Sequence, residues 1–496
     1  MHLRTNNTLI PLNSKPVINH IVLLLISILC YLTIRSMPID FIALLAILLG
    51  IISLLFFSTL TPSNIIKTIF WITFLNMFID TALFRHYIFD LNDAGYATRI
   101  NWFADALLFM LVFRLIGARK NRKYFTGLNL FTVIFTVIII STLINMQSII
   151  SSFLSLRVLY TFLLLAYVIY IYDFTENEYE SYFKLFFVLA ILNSALSIIQ
   201  FTFMDQLGFT TQMTGGIFGF HGTGTGAIFS VIQSALCIHI FLHKRKMIYL
   251  FLAIFVAIPI VTGYAYGGFA FMTIAIIIIS FSYIKRFGFK KIITVTIVSC
   301  VILYSIFTIA RKVQIEQAFE SYYAVYTDYD AFSGIMLGNI YETTSLGRIG
   351  SVIFGYEKMT ENPWTFLVGH GPGSASYKGF TTGIEGSLLK KYGLKGIMTL
   401  FQGYMYELGI WGPLFLVVIF YSLFKKWKKT QRPYFGMSQY YFNNIIVLLP
   451  VYLLSTLYTT TLNNSFMVIF FAINLSYINH CHKIQKESNT LHHRTT

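Results

Sequence analysis

Long apolar runs without a single charge dominate this chain, and they restrict the solvent in which it can fold. The runs IVLLLISILCYLTI (21–34) and TVIFTVIIISTLI (132–144) could not be solvated on a water-exposed surface. In lipid every backbone N–H and C=O must be satisfied within its own segment, so runs of this length form membrane-spanning helices. Of the 496 residues, 56% are hydrophobic and 11% are charged, against about 25% charged in an ordinary soluble domain. A soluble globular protein is excluded.

Counting apolar stretches of spanning length predicts an all-α polytopic fold with about fourteen transmembrane helices. They fall near 17–34, 39–58, 64–83, 101–117, 124–144, 153–172, 183–204, 225–242, 247–262, 266–284, 292–310, 396–424, 442–461 and 463–480. The first stretch exceeds a signal-peptide core and lacks a clear small-residue cleavage site, which makes it an uncleaved first helix. The four cysteines are scattered, three of them in apolar runs, and point to neither a disulfide framework nor a metal site.

The formal charge of +16 raises the question of nucleic acid, and its distribution answers it. Four short segments, RKNRK (119–123), HKRK (243–246), KRFGFKK (285–291) and KKWKKTQR (425–432), hold 16 Lys and Arg and no Asp or Glu. Each lies between apolar spans, the pattern of cytoplasmic loops under the positive-inside rule rather than of a nucleic-acid surface. With both termini in the cytoplasm, all four loops and the basic tail HKIQK fall inside. The acidic segment DFTENEYES (173–181) also falls inside, which the rule tolerates because acids weigh little in it.

The chain then divides into helices 1–11 over residues 1–310, a large outside loop over 311–395, and helices 12–14 with a cytoplasmic tail over 396–496. The loop has eight basic and eight acidic residues and is long enough to form a helical lid. No internal repeat suggests the inverted symmetry of secondary transporters.

Ionisable groups near membrane helices are costly, so their placement is informative. Asp80 and Arg85 end helix 3, Arg99 and Asp105 begin helix 4, and Arg157 lies near the outer end of helix 6, where it is either an interfacial arginine or a ligand. A second group is TGGIFGFHGTGTGAIF (214–229), holding His221; its glycines allow close backbone approach and expose N–H groups suited to an anion, or simply form a re-entrant turn. It lacks the lysine of a P-loop and follows no strand. A third is SLGRIGSVIFGYEKMTENPWTFLVGHGPGSAS (345–376), where helical spacing from Arg348 predicts a helix stopping before Pro363, then a glycine turn at VGHGPG.

In these residues the chain resembles the O-antigen ligase and Wzy-type polymerase superfamily, whose members share an outside-loop arginine, a helix, an Asn-Pro pair, a glycine turn, and a later helix bearing Glu-x-Gly-Ile-x-Gly. Here these are Arg348, Asn362-Pro363, Gly369-His370-Gly371-Pro372-Gly373, and Glu407-Leu408-Gly409-Ile410-Trp411-Gly412, in that order. The segment Gly216 to His221 is similar to the family's earlier Gly-x-Phe stretch. The resemblance covers residues 210–420. One departure is Tyr266, which stands where the family often has arginine, so that a phosphate contact would fall to Arg311 or Arg85.

The resemblance implies a GT-C-like, metal-independent glycosyltransferase without a cofactor, in the bacterial inner membrane. It joins undecaprenyl-diphosphate-linked oligosaccharide repeat units at the outer face to make O-antigen or capsule, with membrane lipids and a chain-length regulator protein as partners and no nucleic acid. Arg157 and Arg348 would grip the diphosphate bidentately, and His221, or else Glu342, would serve as base. Arg311, Glu342, Tyr266, His370, Gly371 and Gly373 are the further substrate-binding candidates. Glu407 is expected to hydrogen-bond a neighbouring helix. Tyr322, Tyr323, Tyr326 and Tyr329 stack on sugars or form an interfacial belt. The family's ligases carry a histidine late in the outside loop, and residues 379–402 contain none, which favours polymerase over ligase. A lipid-linked oligosaccharide flippase is the alternative from another class; it calls for charges lining a mid-membrane cavity and no large outside cap.

Overall fold

The computed structural model describes residues 61–78, 95–116, 128–147, 152, 157–203, 215–218, 223–263, 266–287, 348–375, 399–430, 436–458 and 465–495, with isolated residues 28, 293 and 297. Among them every regular element is helical. In chain order the helices are α1 (Pro62–Met77), α2 (Gly95–Ile116), α3 (Leu128–Ile144), α4 (Arg157–Tyr172), α5 (Glu176–Thr202), α6 (Thr223–Lys244), α7 (Met247–Thr262), α8 (Tyr266–Phe287), α9 (Arg348–Thr360), α10 (Pro363–Val368), α11 (Leu400–Leu408), α12 (Trp411–Lys429), α13 (Gly436–Tyr458) and α14 (Ser465–Thr495). A 3₁₀ turn, Gly216–Phe218, precedes α6.

Three of these segments, Glu176–Thr202, Gly224–Lys244 and Gly436–Leu457, are long and apolar enough to cross a membrane, and four shorter apolar helices accompany them. The exterior agrees. Phe113, Leu143, Val188, Phe251, Phe281 and Val417 are exposed on the helix surfaces, an apolar outside suited to acyl chains and unsuited to water. Inside, Phe70, Phe186, Phe229, Phe466 and Phe470 from α1, α5, α6 and α14 meet edge to face or tilted at 4.7–5.8 Å. Polar side chains link the helices: the Tyr441 hydroxyl donates to Gln233 Oε1 at 2.8 Å, Asn444 to the Ile232 carbonyl at 2.8 Å, and Ser234 to the Ala253 carbonyl at 2.7 Å. Bonds of this kind contribute about 0.6 kcal/mol each in lipid.

Nine of the predicted spans coincide with single helices, α1 to α8 and α13. The span predicted at 463–480 is the first half of α14, which continues as a polar helix to Thr495. The span predicted at 396–424 is instead two helices, α11 and α12, broken at Gly409, whose φ is +61°. The helix predicted to stop before Pro363 ends at Thr360, and Pro363 opens a second helix, α10. The spans at 17–34, 39–58 and 292–310, and loop residues 311–347 and 376–395, lie outside the described residues apart from single positions.

The acidic segment 173–181 sits beside the start of α13 and the basic extension of α14. Asp173 pairs with Lys483 of α14 at 2.5 Å, and Glu176 accepts from Tyr477 at 2.7 Å and Ser438 at 2.6 Å. Glu180 accepts the Met437 and Ser438 amides that open α13, at 2.9 and 2.8 Å. These carboxylates are counterions and caps for the helix ends that flank KKWKKTQR and the basic tail.

Candidate functional site

The residues of the third sequence group build an interlocked unit at the opposite end. Asn362 caps α10, its Oδ1 accepting the Trp364 and Thr365 amides at 3.0 and 2.9 Å, while Thr365 Oγ1 accepts the Asn362 amide at 3.2 Å. Pro363 occupies the first helical position, where its missing N–H costs nothing. The helix stops at Gly369, φ +69°, and the chain turns through His370, Gly371, Pro372 and Gly373.

This turn docks on α11. The His370 amide donates to the Tyr406 carbonyl at 2.8 Å, the Gly371 amide to the Glu407 carbonyl at 3.2 Å, and the Ile410 amide to the Phe366 carbonyl at 2.9 Å. The buried Glu407 carboxylate accepts the Gly373 and Ala375 amides at 3.0 and 3.2 Å. The His370 ring stacks on Tyr406 with centroids 4.3 Å apart. A Cβ on Gly369 would lie 2.4 Å from the Glu407 carbonyl carbon, and one on Gly409 would lie 2.5 Å from the Phe366 carbonyl oxygen. Backbone meets backbone there, and only glycine fits.

The end of α3 grips the turn from the other side. Ser141 donates to the Val368 carbonyl, Asn145 to the Gly369 carbonyl at 3.3 Å and Gln147 to the His370 carbonyl at 3.4 Å, while Ser152 donates to the Pro372 carbonyl at 3.2 Å. Five residues after Ser152 comes Arg157, the first residue of α4.

A second anchored turn lies at the same end. The Gly216 amide and carbonyl pair with Gln200 Oε1 and Nε2 at 2.7 and 3.1 Å, and the Ile217 amide donates to Asn193 Oδ1 at 2.9 Å. Asn193 in turn donates to Ser230 of α6 at 3.3 Å. Phe218 is buried against Phe229 and Phe466. This glycine segment therefore re-enters the bundle and is held there by two amide side chains of α5.

Of the residues singled out in the sequence, Arg157, Tyr266 and Arg348 are the first residues of α4, α8 and α9; the backbone of each is described and its side chain is not. His221, Arg311 and Glu342 lie outside the described residues, as do Arg85 and Tyr322, Tyr323, Tyr326 and Tyr329. His370, Gly371 and Gly373 are in the docked turn, where the three amides are spent on Tyr406 and Glu407, so these glycines frame the turn rather than offer N–H groups to a ligand. Glu407 was expected to bind a neighbouring helix and instead binds this turn. Asp105, buried in α2, accepts from Thr161 at 3.2 Å, one helical turn beyond Arg157.

Sequence reasoning missed Asn145, Gln147, Ser152, Asn193 and Gln200. Their signal was present: amide and hydroxyl side chains toward the ends of otherwise apolar segments, where an unpaired polar group is costly.

No model of a known protein family matches the chain, and comparison with characterised proteins finds no match either.

Proposed function

We propose that the chain is a surface-polysaccharide polymerase, a GT-C-like glycosyltransferase of about fourteen transmembrane helices that extends chains of polyprenyl-diphosphate-linked oligosaccharide repeats at the outer face of the plasma membrane. One observation supports this reading: the Asn362-Pro363 pair and the glycine turn 369–373 form one hydrogen-bonded unit with the Glu407 to Gly412 break, 34 residues further along the chain, and Ser152, five residues before Arg157, donates to the Pro372 carbonyl of that turn. Motifs that served separate structural needs would have no reason to interlock.

In this mechanism the acceptor hydroxyl of one carrier-linked repeat attacks the anomeric carbon of another sugar. The bond from that carbon to the carrier diphosphate breaks, its electron pair leaves on the diphosphate oxygen, and the hydroxyl proton passes to a base. His221 is the proposed base and Glu342 its substitute. Arg157 and Arg348 hold the diphosphate bidentately and stabilise the charge that develops on the leaving oxygen. The turn is held between α11 and the side chains Ser141, Asn145, Gln147 and Ser152. Arg311, Tyr266 and His370 complete the proposed donor site.

Deletion of the gene in its host tests the assignment. A polymerase null leaves single repeats on the acceptor, whereas unattached polymer remaining on its carrier would indicate a ligase.

A further inference from the structure

Residues 363–368 belong by sequence to the large outside loop, yet α10 presents almost no polar surface. Trp364 is 65% exposed, Leu367 is 46% exposed and Phe366 is exposed beside them. The one hydroxyl of the helix, Thr365 Oγ1, turns inward and donates to the Met359 carbonyl at 3.0 Å. Single exposed apolar residues are ordinary on a protein surface, but three large ones on a six-residue helix form a patch. The charged groups come just before it, at the end of α9, where Glu357 is exposed and Lys358 pairs with Glu361 at 2.5 Å.

The neighbours of α10 decide which solvent meets this patch. On one side its end is held by α3, where Ser141 donates to the Val368 carbonyl and Asn145 to the Gly369 carbonyl at 3.3 Å. Ile144, one turn on from Ser141 and on the same side of α3, is exposed, and Met146 beyond it is 93% exposed. On the other side the Phe366 carbonyl accepts the Ile410 amide at 2.9 Å, at the start of α12. Leu414, one turn on from Ile410, is exposed, and so is Val417. The apolar patch of α10 is therefore continuous with the exposed apolar faces of α3 and α12, the surfaces suited to acyl chains.

We propose that α10 is an interfacial anchor seated in the outer leaflet of the bilayer, with Trp364, Phe366 and Leu367 among the upper acyl chains of phospholipids and the Glu357 to Glu361 end of α9 in water. Tryptophan prefers this boundary, where its amphipathic ring lies at headgroup level. A short helix with an apolar face and a charged flank lies in the interface plane rather than across it. The glycine turn 369–373 follows α10 directly, so the anchor sets that turn at the depth of the lipid headgroups. The inference rests on the membrane-spanning reading of the chain and not on glycosyltransferase chemistry, which its test does not use.

The test is tryptophan emission from the full chain reconstituted in vesicles of dioleoyl phosphatidylcholine, with and without bromine on the upper part of the acyl chains. The chain has five tryptophans, so the quantity read is the difference between wild type and Trp364→Phe. Bromine is expected to remove most of that difference. Leu367→Trp, made in the wild-type background, gives an independent reporter close by, and bromine should remove most of the emission it adds. Emission from both reporters that bromine leaves unchanged overturns the proposal. Aqueous iodide then identifies what covers the patch: quenching means water, and no quenching means another segment of the chain or a second copy.

Discussion

Glu407 Oε1 accepts the amide of Gly373 at 3.0 Å across 34 residues of sequence, joining the helix break at Gly409 to the glycine turn. The same oxygen takes the Ala375 amide, so one buried carboxylate fixes the whole exit of the turn. Glu407→Ala strands two buried N–H groups, each costing about 1–3 kcal/mol. The expected result is a markedly lower thermal midpoint and little polymer. Glu407→Gln keeps an acceptor oxygen and should recover much of the stability. Equal midpoints for the Ala variant and wild type would remove the strap from the account.

Gly369→Ala and Gly409→Ala place a Cβ within 2.4–2.5 Å of backbone and force L residues to positive φ. Strain alone is about 1–3 kcal/mol at each position, and the clash adds to it. Gly355→Ala is the contrast, because its Cβ meets the flexible Met405 Cε at 3.0 Å. Thermal unfolding of the three proteins should show two severe losses and one mild one.

Asn193→Ala and Gln200→Ala leave the Ile217 and Gly216 amides without acceptors inside the bundle. A loss of about 1–3 kcal/mol is expected for each. Because the turn leads into the segment bearing His221, polymer yield should fall even at a temperature where the variants remain folded. A polymer ladder on gels beside a thermal melt separates the two effects.

Burial, then Lys426, Lys486 and Lys429, push the His482 imidazole below its usual pKa of 6.5. The folded state therefore favours the neutral ring. The stability this contributes is present above about pH 6.5 and is lost as pH falls further. Melting curves from about pH 7.5 to about pH 5.5 should decline, and His482→Gln should flatten part of that decline. A variant with an unchanged slope would show that His482 is not responsible.

Sequence pattern placed the described helices well, because an apolar run of spanning length has few alternatives in lipid. It could not locate the break at Gly409. Residues 396–424 are apolar enough to read as one span despite Gln402 and Glu407, and the glycine acquires its positive φ where its backbone packs against Phe366 and Thr365. Asn362-Pro363 was legible as a boundary, since cap and proline act locally. The Glu407 strap and the Asn193 and Gln200 anchors were not, because each joins partners that only the folded bundle brings together. The acidic 173–181 segment was an oddity in sequence and becomes intelligible beside Lys483 and the start of α13.

The most direct measurement is chain growth by the purified protein reconstituted in vesicles with polyprenyl-diphosphate-linked repeats and no other enzyme. The account predicts a ladder of products that disappears in Arg348→Ala and Arg157→Ala, and that is impaired in the Lys variants, which keep the charge and lose the planar fork. Normal long-chain product from both alanine variants, or movement of the repeats across the bilayer without any growth, would contradict it.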